Sequence, residues 1–331
     1  MQAIAEYSAV TPEFFLDQIK PQARPAVLKG LVADWPVVAL GADALLDHLA
    51  ASASGLPIPH FVLDPAWRGR FFYVDGYTGF NYRQQHAPLA DVIATLRREA
   101  TVPEPTALFA GSLTLAGFFP GFAEANNIAT FIPANQLIQS LWLGNRTLTA
   151  PHYDNVENIA CVVAGRRRFT LFPIDQYPNL YVGPLDLTPA GQPISLVDIR
   201  APDFDRFPRY REAEAHGLTA TLDPGDAIYI PTLWWHGVES LDAVNVMVNT
   251  WWRDVPGWFG SPTNALLHAV LSLRDLPAEQ RAAWKTVFDH LIFETNGPAL
   301  AHLPPAARGM FGDLTRGTAA HIRELLSQSQ P

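Results

Sequence analysis

Apolar positions change their period along this chain, and the change divides it into regions. Between Pro88 and Arg98, Leu89, Val92, Ile93 and Leu96 fall on one face at helical spacing, which predicts an amphipathic helix. A second helix is expected over Ala42 to Ala51. Nearer the start, Thr11 followed by Pro12 and Glu13 reads as an N-cap with proline at the first helical position. It opens a short helix carrying Phe14, Phe15 and Ile19. The run from Ala26 to Val32 predicts a strand ending near Trp35-Pro36, and residues 71–76 (FFYVDG) have strand composition.

From about Thr106 the text becomes short apolar runs separated by Gly, Pro, Asn and Asp every ten or so residues, the pattern of a β-sandwich or barrel and not of a βαβ array. ALFAGSL, QLIQSLWLG, NIACVVAG, RRFTLFP, TATL, DAIYIP, WWHGVES and NVMVNTWW each predict a strand. Asp223-Pro224-Gly225-Asp226 carries proline second and glycine third, as a type II turn requires. The segment 177–216 is too long for an ordinary connection and has no clear period. It is either a lid or substrate-binding insertion, or a loop packed on the outside of the barrel.

After residue 260 the period returns to helical. Leu266, Leu267, Val270 and Leu271 form one stripe, and Trp284, Val287, Phe288, Leu291 and Ile292 form a second. Two helices joined by Asp275-Leu276-Pro277 make a hairpin that either folds back on the barrel or meets its copy in another subunit. The expected organisation is an N-terminal helical and strand segment (1–105), a barrel core (106–260) and a C-terminal helical region (261–331).

At 331 residues and 48% hydrophobic content the chain can bury a large core. The formal net charge of -9, with scattered Lys and Arg, offers no basic stripe to follow a phosphate backbone, so nucleic acid is a disfavoured partner. Cys161 is the only cysteine, which excludes an intramolecular disulfide and a cysteine zinc cluster; between Ala160 and Val162 it reads as a small buried hydrophobe. The first residues show no signal-peptide pattern and no apolar run approaches spanning length, so the expected setting is the cytoplasm, away from a membrane.

Candidate chemistry begins at His152-Tyr153-Asp154. On a strand, alternate side chains share a face, so His152 and Asp154 would point one way and Tyr153 the other. With His236 they make two histidines and one carboxylate, the facial set that leaves open positions on non-haem Fe(II). An isolated His-x-Asp triplet is weak, and a lone histidine is more often a hydrogen-bonded structural residue. The surrounding text carries the assignment.

Residues 148–173 (LTAPHYDNVENIACVVAGRRRFTLFP) and 222–240 (LDPGDAIYIPTLWWHGVES) resemble the JmjC-type, cupin-like 2-oxoglutarate oxygenases. Within them, the likeness is to the branch containing the asparaginyl hydroxylase of the hypoxia-inducible factor. RPAVLKGLVADWPVV (24–38) is similar to the opening segment of that family and NVMVNTWW (245–252) to its closing strand, so the likeness covers roughly residues 10 to 255. It implies a mainly β fold, a double-stranded β-helix (jelly-roll) barrel with flanking helices, extended here by the C-terminal hairpin.

The resemblance also implies Fe(II) held by His152, Asp154 and His236, with 2-oxoglutarate and O2 as co-substrates and succinate and CO2 as products. Thr149, Asn158 and Asn249 match co-substrate positions. The cation for the distal carboxylate, commonly lysine in the family, falls on Arg167, with Arg166 and Arg168 as neighbours that could take the role. Phe109 stands near a family tyrosine, whose hydrogen bond is either missing here or supplied by Thr147 or Tyr229. Tyr153, Asn155 and Trp235 are candidate contacts to the prime substrate. That substrate would be a protein or peptide side chain, or a small molecule, and a metal-binding sensor without turnover is the alternative from another class. Dimerising C-terminal helices in the resembling hydroxylase imply a homodimer.

Overall fold

The computed structural model describes residues 1–132 and 137–328; Gln136, the first residue of one expected strand, lies outside them. Fifteen strands lie among the described residues. In the first part of the chain these are β1 (Gln2–Ala3), β2 (Ala5–Ser8), β3 (Ala26–Lys29), β4 (Ile58–Leu63), β5 (Arg70–Phe71), β6 (Tyr82–Ala87), β7 (Ala107–Thr114) and β8 (Leu137–Gly144). The remainder are β9 (Leu148–His152), β10 (Glu157–Ala164), β11 (Arg167–Phe172), β12 (Leu218–Leu222), β13 (Ala227–Ile230), β14 (Trp235–Ser240) and β15 (Asn245–Trp252).

They form a six-stranded sheet, β1-β12-β11-β14-β9-β5, and a nine-stranded sheet, β2-β3-β13-β10-β15-β8-β7-β4-β6. Strand parity explains how the two stack. Ala160, Val162, Ile228, Ile230 and Met247 of the larger sheet pack against Phe169, Leu171, Leu218 and Val238 of the smaller, giving the inner core of a cupin-like jelly roll. The alternate residues Ile159, Cys161, Val163, Val246 and Val248 face outward onto the helices Gly41–Ser52 and Leu89–Glu99. Leu45, Leu46 and Leu49 of the first helix, and Leu89, Val92, Ile93 and Leu96 of the second, are all buried there. Near-continuous apolar text in β10 and β15 therefore reflects strands covered on both faces.

Local signals act as the sequence suggests at several points. Thr11 accepts the Phe14 amide and Pro12 opens the helix; Phe15 and Ile19 are buried, whereas Phe14 is exposed. In the turn at 223–226 the Asp226 amide donates to Asp223 O at 3.1 Å and Gly225 takes φ +96°, the geometry reserved for glycine at the third position. The expected strand over 71–76 is shorter than its text: Phe71 ends β5, Tyr73 makes an isolated antiparallel bridge to Phe80, and Gly76 at φ +78° then turns the chain at Asp75–Tyr77. Segment 177–216 packs Leu180, Val197, Phe207, Tyr210 and Ala213 onto Phe172 and Trp235, on the outer face of the smaller sheet. It also crosses the end of β9, where the Ser195 amide donates to Pro151 O at 2.7 Å.

Two compact units divide the chain, Met1–Asp254 and Val255–Pro331. The second holds the helices Pro262–Ser272, Ala278–Leu291 and Arg316–Gln328. Among the described residues no helix is long and apolar enough to cross a membrane.

Gly165, in the turn joining β10 to β11, takes φ +70°, and a Cβ added there would stand 2.4 Å from Val244 O. A left-handed L-residue costs about 1–2 kcal/mol before any clash. Gly165→Ala is therefore expected to lower the free energy of unfolding by at least that much, seen as a lower denaturant midpoint, and an unchanged midpoint would contradict the register of this turn.

Candidate metal and co-substrate site

β9 and β14 pair antiparallel with His152 opposite His236, and the ring centroids lie 4.3 Å apart. β9 ends at His152, so Asp154 stands beyond the strand and not on it, a correction to the parity expected from sequence. The loop is held instead by the Leu233 amide, which donates to Asp154 O at 2.9 Å. Leu233 adopts a left-handed φ of +65° to make that contact, a strained state for a leucine. Ligand atoms of His152, Asp154 and His236 all lie within 4.8 Å of one another, and His236 Nε2 is 3.7 Å from Asp154 Oδ2.

The tautomers follow from neighbours that can only accept. His152 Nδ1 lies 3.0 Å from Ala150 O, and His236 Nδ1 lies 3.0 Å from Trp234 O. Each Nδ1 therefore carries a proton and donates it, which leaves each Nε2 lone pair toward Asp154. Burial, and then the nearby His152, push the His236 pKa down to about 4, so the ring is neutral at physiological pH, the form that binds a cation.

These three side chains line a cavity of about 960 Å³, mouth included, between the two sheets. Asn158 and Ala160 enter it from β10, Arg167 and Phe169 from β11, and Met247, Asn249 and Trp251 from β15, each set at period two. Thr149 and His152 are three apart yet both face inward, because a register shift in the β9–β14 pairing re-aims the strand. Pro189, Ala190, Gln192 and Ile194 of the long insertion close one side. The insertion therefore contributes both to the outer packing and to the cavity wall.

Arg167 is 3% exposed, and its Nε and Nη2 have no hydrogen-bond partner in the protein. Burial lowers its pKa to about 10, so it remains a cation at neutral pH. Its neighbours point away: Arg166 pairs with Asp242 and Arg168 with Glu239, both at 3.0 Å. A buried cation with open donors is costly unless an anion completes it. Asn249 and Asn158 are buried in the same cavity, with Asn249 Nδ2 3.4 Å from Asn158 Oδ1.

Other sequence candidates fall elsewhere. Trp235 is fully buried on the opposite face of β14, edge-on to Tyr153 at 5.0 Å and Tyr177 at 5.4 Å, because alternation places it outside when His236 is inside. Trp235 and Tyr153, expected as substrate contacts, thus pack with Tyr177 on the outer face and are not among the residues lining the cavity. Asn155 is not among the cavity-lining residues. Thr147 bonds Ser240, and Tyr229 bonds Glu157 on the outer side, so neither supplies the hydrogen bond that Phe109 lacks.

The cavity also contains groups that sequence reasoning missed: Tyr82, Phe61 and Phe71, clustered with Phe109, together with Trp142 and Trp251. Burial raises the Tyr82 pKa to about 12, keeping its hydroxyl protonated. Trp251 was within reach of the sequence, since it stands two residues after Asn249 on the same strand face. β6, which brings Tyr82, carries polar text (YRQQHA), and in β4, which brings Phe61, Pro59 and His60 interrupt an otherwise apolar run (IPHFVL).

A family model described as a cupin-like domain matches residues 11–257, and the chain belongs to that family. It is 26% identical over 274 residues to tRNA wybutosine-synthesizing protein 5 of Danio rerio, covering 76% of this chain and 75% of that one. It is 23% identical over 261 residues to lysine-specific demethylase 8 of Xenopus tropicalis, covering 76% and 53%. Over 114 residues it is 37% identical to human HSPB1-associated protein 1, covering 34% of this chain and 23% of that one. The expected JmjC-type, cupin-like class is met.

If the three clustered side chains hold a cation together, removing any one leaves an incomplete set. Equilibrium dialysis with Fe(II) or Mn(II) is expected to show strongly weakened binding in His152→Ala, Asp154→Ala and His236→Ala. Full retention by His236→Ala would remove it from the set.

Proposed function

We propose that this protein is an Fe(II)- and 2-oxoglutarate-dependent oxygenase that hydroxylates a protein or peptide side chain, using His152, Asp154 and His236 as metal ligands. The observation that carries the reading is the placement of buried Arg167, with two unpartnered donors, in the same cavity as the clustered histidines and carboxylate. Such a pairing suits a dicarboxylate, with Arg167 assigned to its distal carboxylate and Thr149, Asn158 and Asn249 of the same lining assigned to its flanks. Fe(II) held by these three ligands would supply the redox chemistry that couples loss of CO2 from 2-oxoglutarate to oxidation of the prime substrate by O2.

The residues bind, orient and exclude water. His152 and His236, each with Nδ1 engaged by a backbone carbonyl, would present Nε2 to a divalent ion, and Asp154 would present a carboxylate oxygen. The guanidinium of Arg167 offers a planar fork where an ammonium would offer a point charge. Apolar walls from Phe61, Phe71, Phe109 and Met247 keep the reaction space dry. The names of the relatives span a lysine demethylase and a tRNA-modifying protein, so the family alone does not select the prime substrate. The acidic charge balance supports a protein or peptide over nucleic acid.

With Fe(II), ascorbate and O2, the protein is expected to convert 2-oxoglutarate slowly to succinate without a prime substrate, and faster when the true substrate gains an oxygen atom. Absence of succinate from iron-loaded protein would favour a non-catalytic metal-binding sensor. Replacing Arg167 by Met leaves the distal carboxylate buried without its partner, a loss of about 3 to 5 kcal/mol. The 2-oxoglutarate KM should rise by roughly 100-fold or more, while the metal-free protein becomes no less stable, because the substitution removes an uncompensated buried charge. If Arg166→Ala or Arg168→Ala has that effect and Arg167→Met does not, the assignment fails.

The second unit supports a homodimer. Leu266, Leu267, Leu271, Trp284, Ile292 and Phe293 are each at least 46% exposed, and neither long helix buries a residue. Sedimentation is expected to give a dimer for the wild type and a monomer for Leu271→Glu. A monomeric wild type contradicts this part of the reading.

A further inference from the structure

Two indoles meet edge to face in the cavity, and each gives its N–H to a different part of the site. Trp142 and Trp251 have ring centroids 5.8 Å apart at 88°. Trp251 Nε1 donates to Asp154 Oδ2 at 3.0 Å, and Trp142 Nε1 donates to Asn249 Oδ1 at 2.7 Å. We propose that Trp142 and Trp251 are paired positioning residues, Trp251 setting the rotation of the Asp154 carboxylate toward the cation and Trp142 setting which way the Asn249 amide faces the co-substrate. This inference rests on the functional reading above.

The chemistry of each partner requires such a device. The two histidines are held by carbonyls of their own segments two residues earlier, whereas Asp154 lies past the end of β9 and takes its side-chain partner from β15. The oxygen that Trp251 holds, Oδ2, is the one 3.7 Å from His236 Nε2, so the indole bond restrains the carboxylate's rotation at the atom nearest the histidines. Indole is a donor without acceptor capacity, so its bond to Oδ1 of Asn249 also settles the amide's sense. The NH2 of Asn249 is thereby turned toward Asn158 Oδ1.

The seat of Trp142 is shaped as tightly as its hydrogen bond. Its ring stacks on Phe109 at 5.8 Å, and Gly111 lies beneath it, where an added Cβ would stand 2.6 Å from the ring. Register in the larger sheet places Trp142 opposite Met247, so the pair spans adjacent strands β8 and β15. Neighbouring Trp252 gives its N–H to Asp254 and packs in the outer core, which makes it a matched control.

The test uses the full chain loaded with Mn(II) or Co(II), which support binding measurements without turnover. Trp251→Phe is expected to weaken Mn(II) binding about ten-fold or more and to alter the visible spectrum of bound Co(II), with the metal-free thermal transition retained. Trp142→Phe should leave Mn(II) affinity within about two-fold and weaken 2-oxoglutarate binding to the Mn(II) protein by about ten-fold, as loss of one oriented hydrogen bond does. Trp252→Phe should move neither. Unchanged Mn(II) affinity and Co(II) spectrum in Trp251→Phe, or unchanged 2-oxoglutarate affinity in Trp142→Phe, overturns the role assigned to that indole. If a Phe variant does not fold, benzothienylalanine at the same position keeps the bicyclic shape without the N–H and makes the same comparison. Failure of the wild type to bind Mn(II) or 2-oxoglutarate would instead overturn the functional reading on which the inference depends.

Discussion

Everything at the site depends on the antiparallel pairing of β9 with β14, which sets His152 directly across from His236. Two residues far apart in sequence become neighbours there through backbone hydrogen bonds, and each ring is then fixed by a carbonyl of its own segment. Asp154 need only leave the strand end and turn back. Its position is bought by the left-handed Leu233, whose amide ties the loop before β14 to the loop after β9. The irregularity within the same pairing brings Thr149 inward along with His152.

The second organising constraint is the uncompensated charge of Arg167. A folded protein gains nothing from sealing a guanidinium with open donors into an apolar cleft, and its two neighbours show the ordinary solution of pairing with carboxylates at the surface. The strand that carries it pairs on both edges, with β12 and β14, and Phe169 and Leu171 anchor the same face in the inner core. A buried cation in the same cavity as two imidazoles and a carboxylate supports the proposed dianionic ligand that also touches a metal.

Much of this was legible from sequence, for identifiable reasons. β10, β11, β13, β14 and β15 announce themselves because they are apolar, β-branched and bounded by turn residues, and the Asp223–Asp226 turn fixes where β13 begins. Period two then sends Asn158, Arg167, His236 and Asn249 to one interior. The same rule applied strictly to Trp235 would have excluded it as a substrate contact, since its neighbour His236 cannot face inward unless Trp235 faces out. Asp154 escaped the rule because the strand stops before it, which depends on tertiary contacts of Leu233. Tyr82 was hidden because β6 is an edge strand with polar text that pairs, among the described residues, only with β4, and Phe61 because Pro59 and His60 interrupt the apolar text of β4, which pairing to β6 and β7 holds in place.

The most direct test of the central claim is an anaerobic calorimetric titration of 2-oxoglutarate into the Fe(II)-loaded protein, repeated on protein stripped of metal. The account predicts saturable binding of one equivalent that requires the metal, because the ligand must reach both the cation and Arg167. No binding to the loaded protein, or equal binding with and without metal, would contradict it.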